Sequence, residues 1–104
     1  MPKVTVTIEH QTDPAKISAM IERTGQVIEK TVQDFEGHDL AIDWSDGSAD
    51  FTFKSLAFTI KGTATVTADQ VVVAIDLPFA AMMFKDKVER AITKNLTRAI
   101  DEAS

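Results

Sequence analysis

The chain has 104 residues, 44% of them hydrophobic and 26% charged, with a formal net charge of −5, which fits one globular domain spanning 1–104 and is too short for two ordinary ones. Cysteine is absent, which excludes a disulfide framework and a thiolate metal site and suits a reducing compartment. The acidic balance lacks the basic footprint of nucleic-acid binding, and no apolar run approaches the roughly 20 residues that cross a bilayer, so neither a nucleic-acid partner nor a transmembrane segment is expected.

The opening "MPKVTVTIEH" carries no basic flank followed by an apolar stretch, the pattern of an export signal, so a cytoplasmic protein is expected. Within it, "KVTVTIE" alternates Val4, Val6 and Ile8 against Lys3, Thr5, Thr7 and Glu9, the period of a half-buried strand. In "TDPAKI", Asp13 can cap a helix whose first turn holds Pro14, where a missing N–H costs nothing. From Ile17 the apolar positions Met20, Ile21, Val27, Ile28, Val32 and Phe35 recur by threes and fours, which predicts a helix over 13–36 with Gly37 as its stop.

Four more strands follow. "DLAIDW" alternates Leu40, Ile42 and Trp44 against Asp39, Ala41 and Asp43; "SDGS" reads as a turn; "ADFTFKS" turns Phe51 and Phe53 inward. "AFTIKGTATVT" places Phe58, Ile60, Gly62, Ala64 and Val66 on one face, and Gly62 and Ala64 remove bulk there, which would admit a helix backbone or leave a groove. "VVVAIDL" presents Val71, Val73, Ile75 and Leu77. Each strand has one apolar face, as an antiparallel sheet wet on one side requires.

The last segment, "FKDKVERAITKNLTRAIDEAS", spaces Phe84, Val88, Ile92, Leu96 and Ile100 by four and reads as a second amphipathic helix. The expected fold is therefore α+β and two-layered, an antiparallel sheet of about five strands with two helices on one face, in the order β-α-β-β-β-β-α.

Catalytic chemistry is sparse. A calcium loop around "DWSDGS" would need an acid or amide two residues before Asp46 and a Glu six after Gly47, but Trp44 and Phe53 stand there, so no metal site is read. His10 and His38 adjoin Glu9 and Asp39 at predicted element ends, and alternation gives no reason to bring them together in a pocket; both read as solvent-exposed. No nucleophile elbow or phosphate-cradling glycine loop occurs, and no enzyme or cofactor is expected.

Two surfaces remain. At about 100° per residue, Lys87, Arg90, Lys94 and Arg98 gather opposite Ile92, a basic helix face in an acidic chain. Residues 1–50 hold four Lys/Arg against ten Asp/Glu, a net −6, whereas residues 51–104 hold seven against six, a net +1. That face suits an acidic partner, an anionic surface or the acidic half of a second copy, as well as ordinary solvation. The second surface is "LPFAAMMF", 77–84, without a charge, amide or hydroxyl. Extending the helix backwards puts Ala81 and Phe84 on the core side, Met82 at its flank and Phe79 and Met83 away from it, with Lys85 core-side unless the register changes near Phe84. The stretch either seals the core or offers an apolar contact surface.

The succession "WSDG", "FTF", "GTATV", "VVVAIDLPF" and "FKDKVERAI", with Trp44, Phe51, Phe53, Gly62, Leu77, Phe84, Lys85 and Val88, resembles the small putative polyhydroxyalkanoic acid system proteins of bacteria over essentially the whole chain. The resemblance implies a place among proteins of polyhydroxyalkanoate (PHA) synthesis and use, association with storage granules and no established catalytic residues. The layout also resembles a shortened helix-grip domain, whose C-terminal helix can enclose an apolar ligand. The expectation is thus a non-enzymatic accessory protein, cytoplasmic or granule-associated, that binds a PHA granule surface or a granule protein. The alternatives are a carrier of an apolar ligand held near Gly62, Ala64, Met82 and Met83 between sheet and helix, and a regulatory homodimer.

Overall fold

The computed structural model describes residues 3–11 and 13–103, and the expected end of the second helix at Ser104 lies outside them. In chain order the elements are β1 (Lys3–Glu9), a 3-10 turn (Pro14–Lys16), α1 (Ile17–Asp34), β2 (His38–Ser45), β3 (Ser48–Ser55), β4 (Phe58–Val66), β5 (Gln70–Asp76), a 3-10 helix (Phe79–Phe84) and α2 (Lys85–Ala103). The α+β order is the expected one.

The strands form one antiparallel sheet in the order β1-β5-β4-β3-β2. Strands β2 to β5 are a meander, and α1 carries the chain from one sheet edge, β1, to the other, β2. The last strand of the meander then closes against the first strand, with Val4 opposite Ile75 and Val6 opposite Val73. α2 packs on β1 and on α1, and α1 packs on β2 and β4. The core between the layers joins Val4, Val6, Phe51, Phe53, Ile60, Val71, Val73, Ile75 and Leu77 to Met20, Val27, Ile28, Val32, Val88, Ile92, Leu96 and Ile100. These are the residues that period two and the helical spacing select.

The predicted 13–36 helix is divided. Asp13 caps as expected, its side chain accepting from the Ala15 N–H at 3.1 Å with Pro14 next, but this turn is 3-10 and the α-helix starts at Ile17. At the other end Gly37 is not the residue in the left-handed conformation. Glu36 holds it, at φ 57°, while Gly37 N–H reaches the Val32 carbonyl at 2.7 Å and Glu36 N–H the Gln33 carbonyl at 3.1 Å, the bond pattern of a Schellman cap. Gly37 is required by space: a Cβ there would lie 2.7 Å from Val32 Cγ1 and 3.0 Å from Phe53 Cδ2.

Two polar residues also belong to the core. Thr24 and Thr31 are buried on α1 and donate their hydroxyls to the Met20 and Val27 carbonyls at 2.8 Å each. Bonded within the helix, each presents only its methyl-bearing side to the sheet.

The turns separate by backbone sign. Asp46 and Gly47 have φ of 52° and 80°, the two positive values of a type I′ hairpin turn, which Asp-Gly favours. Leu56, in the β3–β4 turn, also has positive φ, 56°, a conformation in which a bulky L-residue is strained. In β2, Asp39 also has positive φ, 56°, and the β2–β3 register shifts between His38 and Ala41.

Candidate functional site

Gly62 and Ala64 do not open a groove under the helices. Gly62 pairs with Phe51 across β3 and β4, and a Cβ on it would enter the space of the Phe51 ring and come within 2.8 Å of the Ala74 carbonyl oxygen. The missing side chain is thus filled by an aromatic ring from the neighbouring strand, and Ala64 is closed in the core. The interior space bounded by Thr31, Phe51, Phe53 and Ile92 amounts to about 10 Å³, room for about one water. Met82 and Met83 lie elsewhere, at the open end of the sheet.

That end is built by four elements. The sheet contributes Phe53, Ile60 and Ile75, continued by Leu77; α1 contributes its C-terminal turn; the β3–β4 turn contributes Ser55 and Leu56; and the 3-10 helix with the start of α2 contributes Ala80, Ala81, Phe84, Lys87 and Val88. Between them runs an open groove of about 350 Å³. Ser55 Oγ donates to the Phe35 carbonyl at 3.1 Å, which ties the hairpin to the end of α1.

The stretch "LPFAAMMF" enters this end through Leu77, which is buried. Pro78 then stands extended before the helix, at φ −66° and ψ 153°. The next six residues are 3-10 rather than α, so the expected backward extension of α2 is corrected: the register changes between Phe84 and Lys85, and Lys85 is half-buried there. With three residues per turn, the side chains stack in columns 79/82, 80/83 and 81/84. Ala81 and Phe84 form the column at the groove, and Ala80 also reaches it.

The large residues of the segment are exposed, Phe79 at 72%, Met82 at 53%, Met83 at 82% and Phe84 at 44%. Phe84 was expected on the core side; it lies at the groove rim instead, beside Ala81 in the 3-10 helix. Met83 points away from the core, as the projection gave; Phe79 is exposed as well, although the projection put it outward only for an α-helix reaching back to it, and α2 starts at Lys85. Leu56 is 80% exposed at the same end, a residue that the strand patterns passed over as a turn position. No periodicity marks it. Its signal in the sequence is a large aliphatic residue where the turn conformation suits Gly or Asn.

The basic face is present and exposed at Lys87, Arg90, Lys94 and Arg98. Only Lys87 reaches the groove. Arg90 Nε donates to the Asp86 carbonyl at 3.3 Å, and Lys94 and Arg98 border a shallow hollow farther along α2. Arg23 on α1 meets Glu102 on α2 at 3.4 Å.

The histidines are not brought together. His38 is exposed, 3.2 Å from Asp39, whereas His10, expected in solvent, is half-buried, and its backbone N–H donates to the Asp69 backbone carbonyl at 2.8 Å. Among the described residues no group of three or more His, Asp or Glu is arranged to hold a metal ion, and no helix is long and apolar enough to cross a membrane.

These features define a two-layer α+β protein with its apolar residues exposed at one end, around a groove, on a 3-10 turn leading into a basic helix. The chain belongs to the family described as putative polyhydroxyalkanoic acid system protein, whose model matches residues 4–100. No curated protein and no solved structure matches the chain at a significant level. The family resemblance in the sequence is therefore right.

Proposed function

We propose that this chain is a non-enzymatic accessory protein of polyhydroxyalkanoate metabolism that binds the polyester surface of the granule through its apolar end. The observation that carries the reading is the joint exposure of Phe79, Met82, Met83 and Leu56 at one end of the fold. Exposed apolar patches of this kind mark interaction surfaces, and methionines adapt to a surface without fixed shape. The family supplies the substance: a polyhydroxyalkanoic acid is an aliphatic polyester, whose hydrocarbon segments and side chains between the ester groups offer apolar surface. Leu56 adds to the patch: it is the first residue of the two-residue turn between Ser55 and Phe58, where positive φ is required and glycine is the usual choice, yet a large exposed aliphatic side chain stands there.

Fractionation of polymer-accumulating cells tests this. The protein is expected with the granules, and a variant with Phe79→Ser and Met83→Ser is expected in the soluble fraction with its fold intact. Wild-type protein remaining wholly soluble would sink the proposal. The carrier reading keeps one observation in its favour, the open groove beside the patch. A ligand enclosed between sheet and helices has no room in a space of about 10 Å³.

A further inference from the structure

The end groove, at about 350 Å³, falls within the range of small-molecule sites, about 300–1,000 Å³. Its floor is aliphatic, made by Ile60, Ile75, Leu77 and Val88. Its two helical walls differ in charge. The α2 wall carries Lys87, whose ammonium is its cation at the groove. Among the described residues no ion pair engages Lys87.

The α1 wall is the reverse. It carries Asp34 and Glu36 at the negative end of its helix, and Asp34 is paired with Lys30 at 3.9 Å. An apolar chain with a single anionic end has one fitting orientation, with the anion at Lys87 and away from Asp34 and Glu36. Its tail covers the aliphatic floor and its anion meets Lys87. The α1 carboxylates repel a second anion and accept a hydrogen bond from a hydroxyl on the chain.

We infer that the groove binds one medium-chain aliphatic carboxylate, hydroxy acids included, with the carboxylate at Lys87. This rests on the polyester reading only for the choice of a hydroxy acid, since the monomer and the chain end of a polyhydroxyalkanoic acid are such acids.

Titration of the full chain with octanoate, 3-hydroxyoctanoate and methyl octanoate, followed by the methyl NMR signals of Ile60, Ile75, Leu77 and Val88, tests it. Both acids are expected to shift these signals with a Kd of about 0.1–1 mM. The methyl ester should bind about fivefold more weakly, and Lys87→Ala should bring the acids down to the ester while leaving the ester unchanged. Lys87 is exposed, so its replacement leaves the fold intact. No saturable shift at about 10 mM acid, an ester that binds as tightly as the acids, or an acid preference surviving in Lys87→Ala would each overturn the inference. Groove shifts that follow protein concentration alone would assign the groove to a second copy and overturn it too. The Phe79→Ser, Met83→Ser variant should bind the acids as wild type does, so a failure of acid binding and a failure of granule binding appear in separate measurements.

Discussion

Replacing Leu56 by glycine separates stability from binding. Leu56 has φ 56° and is 80% exposed. Relief of the left-handed strain returns about 1–2 kcal/mol. Against it stand about 0.5–1 kcal/mol from the greater freedom of glycine in the unfolded chain and about 0.4 kcal/mol for the fifth of the side chain now covered, at about 2 kcal/mol per fully buried leucine. The net lies between about −0.4 and +1 kcal/mol, so the melting temperature of a domain this size moves by no more than a fall of about 2–3 °C or a rise of several degrees. Adsorption to polyester moves the other way. Covering the exposed four fifths of the side chain is worth about 1.5 kcal/mol, and its removal weakens binding about tenfold. Thermal unfolding and sedimentation with polyester particles read the two effects. A fall in melting temperature beyond about 6 °C would mean that Leu56 holds the core, and unchanged adsorption would remove the β3–β4 turn from the contact surface.

Gly62→Ala should destabilise by about 1–3 kcal/mol through overpacking against the Phe51 ring, seen as a lower denaturation midpoint. Phe51→Leu in the same chain should recover part of the loss, and additive losses would show that the ring is not the obstacle. Mild peroxide treatment should oxidise the exposed Met82 and Met83 before the buried Met20 and weaken adsorption while leaving the melting temperature unchanged; mass spectrometry with a sedimentation assay checks both.

The sheet and helices were legible because burial imposes a period. Val4/Val6/Ile8 and Val71/Val73/Ile75 alternate, Val88/Ile92/Leu96/Ile100 repeat by four, and each pattern permits one face for the core. Strand order was not legible in the same way, since the pairing of β1 with β5 depends on how α1 crosses the sheet, and a local pattern carries no record of that. Thr24 and Thr31 drew no core reading, because the sequence does not show that their hydroxyls bond back to their own helix. Gly62 was read as a gap because the ring that fills it comes from another strand.

At the candidate site the sequence left open whether 77–84 seals the core or faces solvent; Met83 lies on the side its projection gave and Phe84 does not. A run of six apolar residues fits an α-helix or a 3-10 helix equally well, so the sequence does not carry which face each residue presents. Leu56 left no periodic trace, and the groove, assembled from four separated segments, had none to leave.

The central claim is that the Phe79/Met83 end binds polyester. The most direct measurement is co-sedimentation of the purified chain with protein-free polyhydroxyalkanoate particles, wild type beside the Phe79→Ser, Met83→Ser variant, with matched melting curves. The account predicts that wild type pellets with the particles and that the variant stays in the supernatant. Equal pelleting of the two, or wild type left in solution, would contradict it.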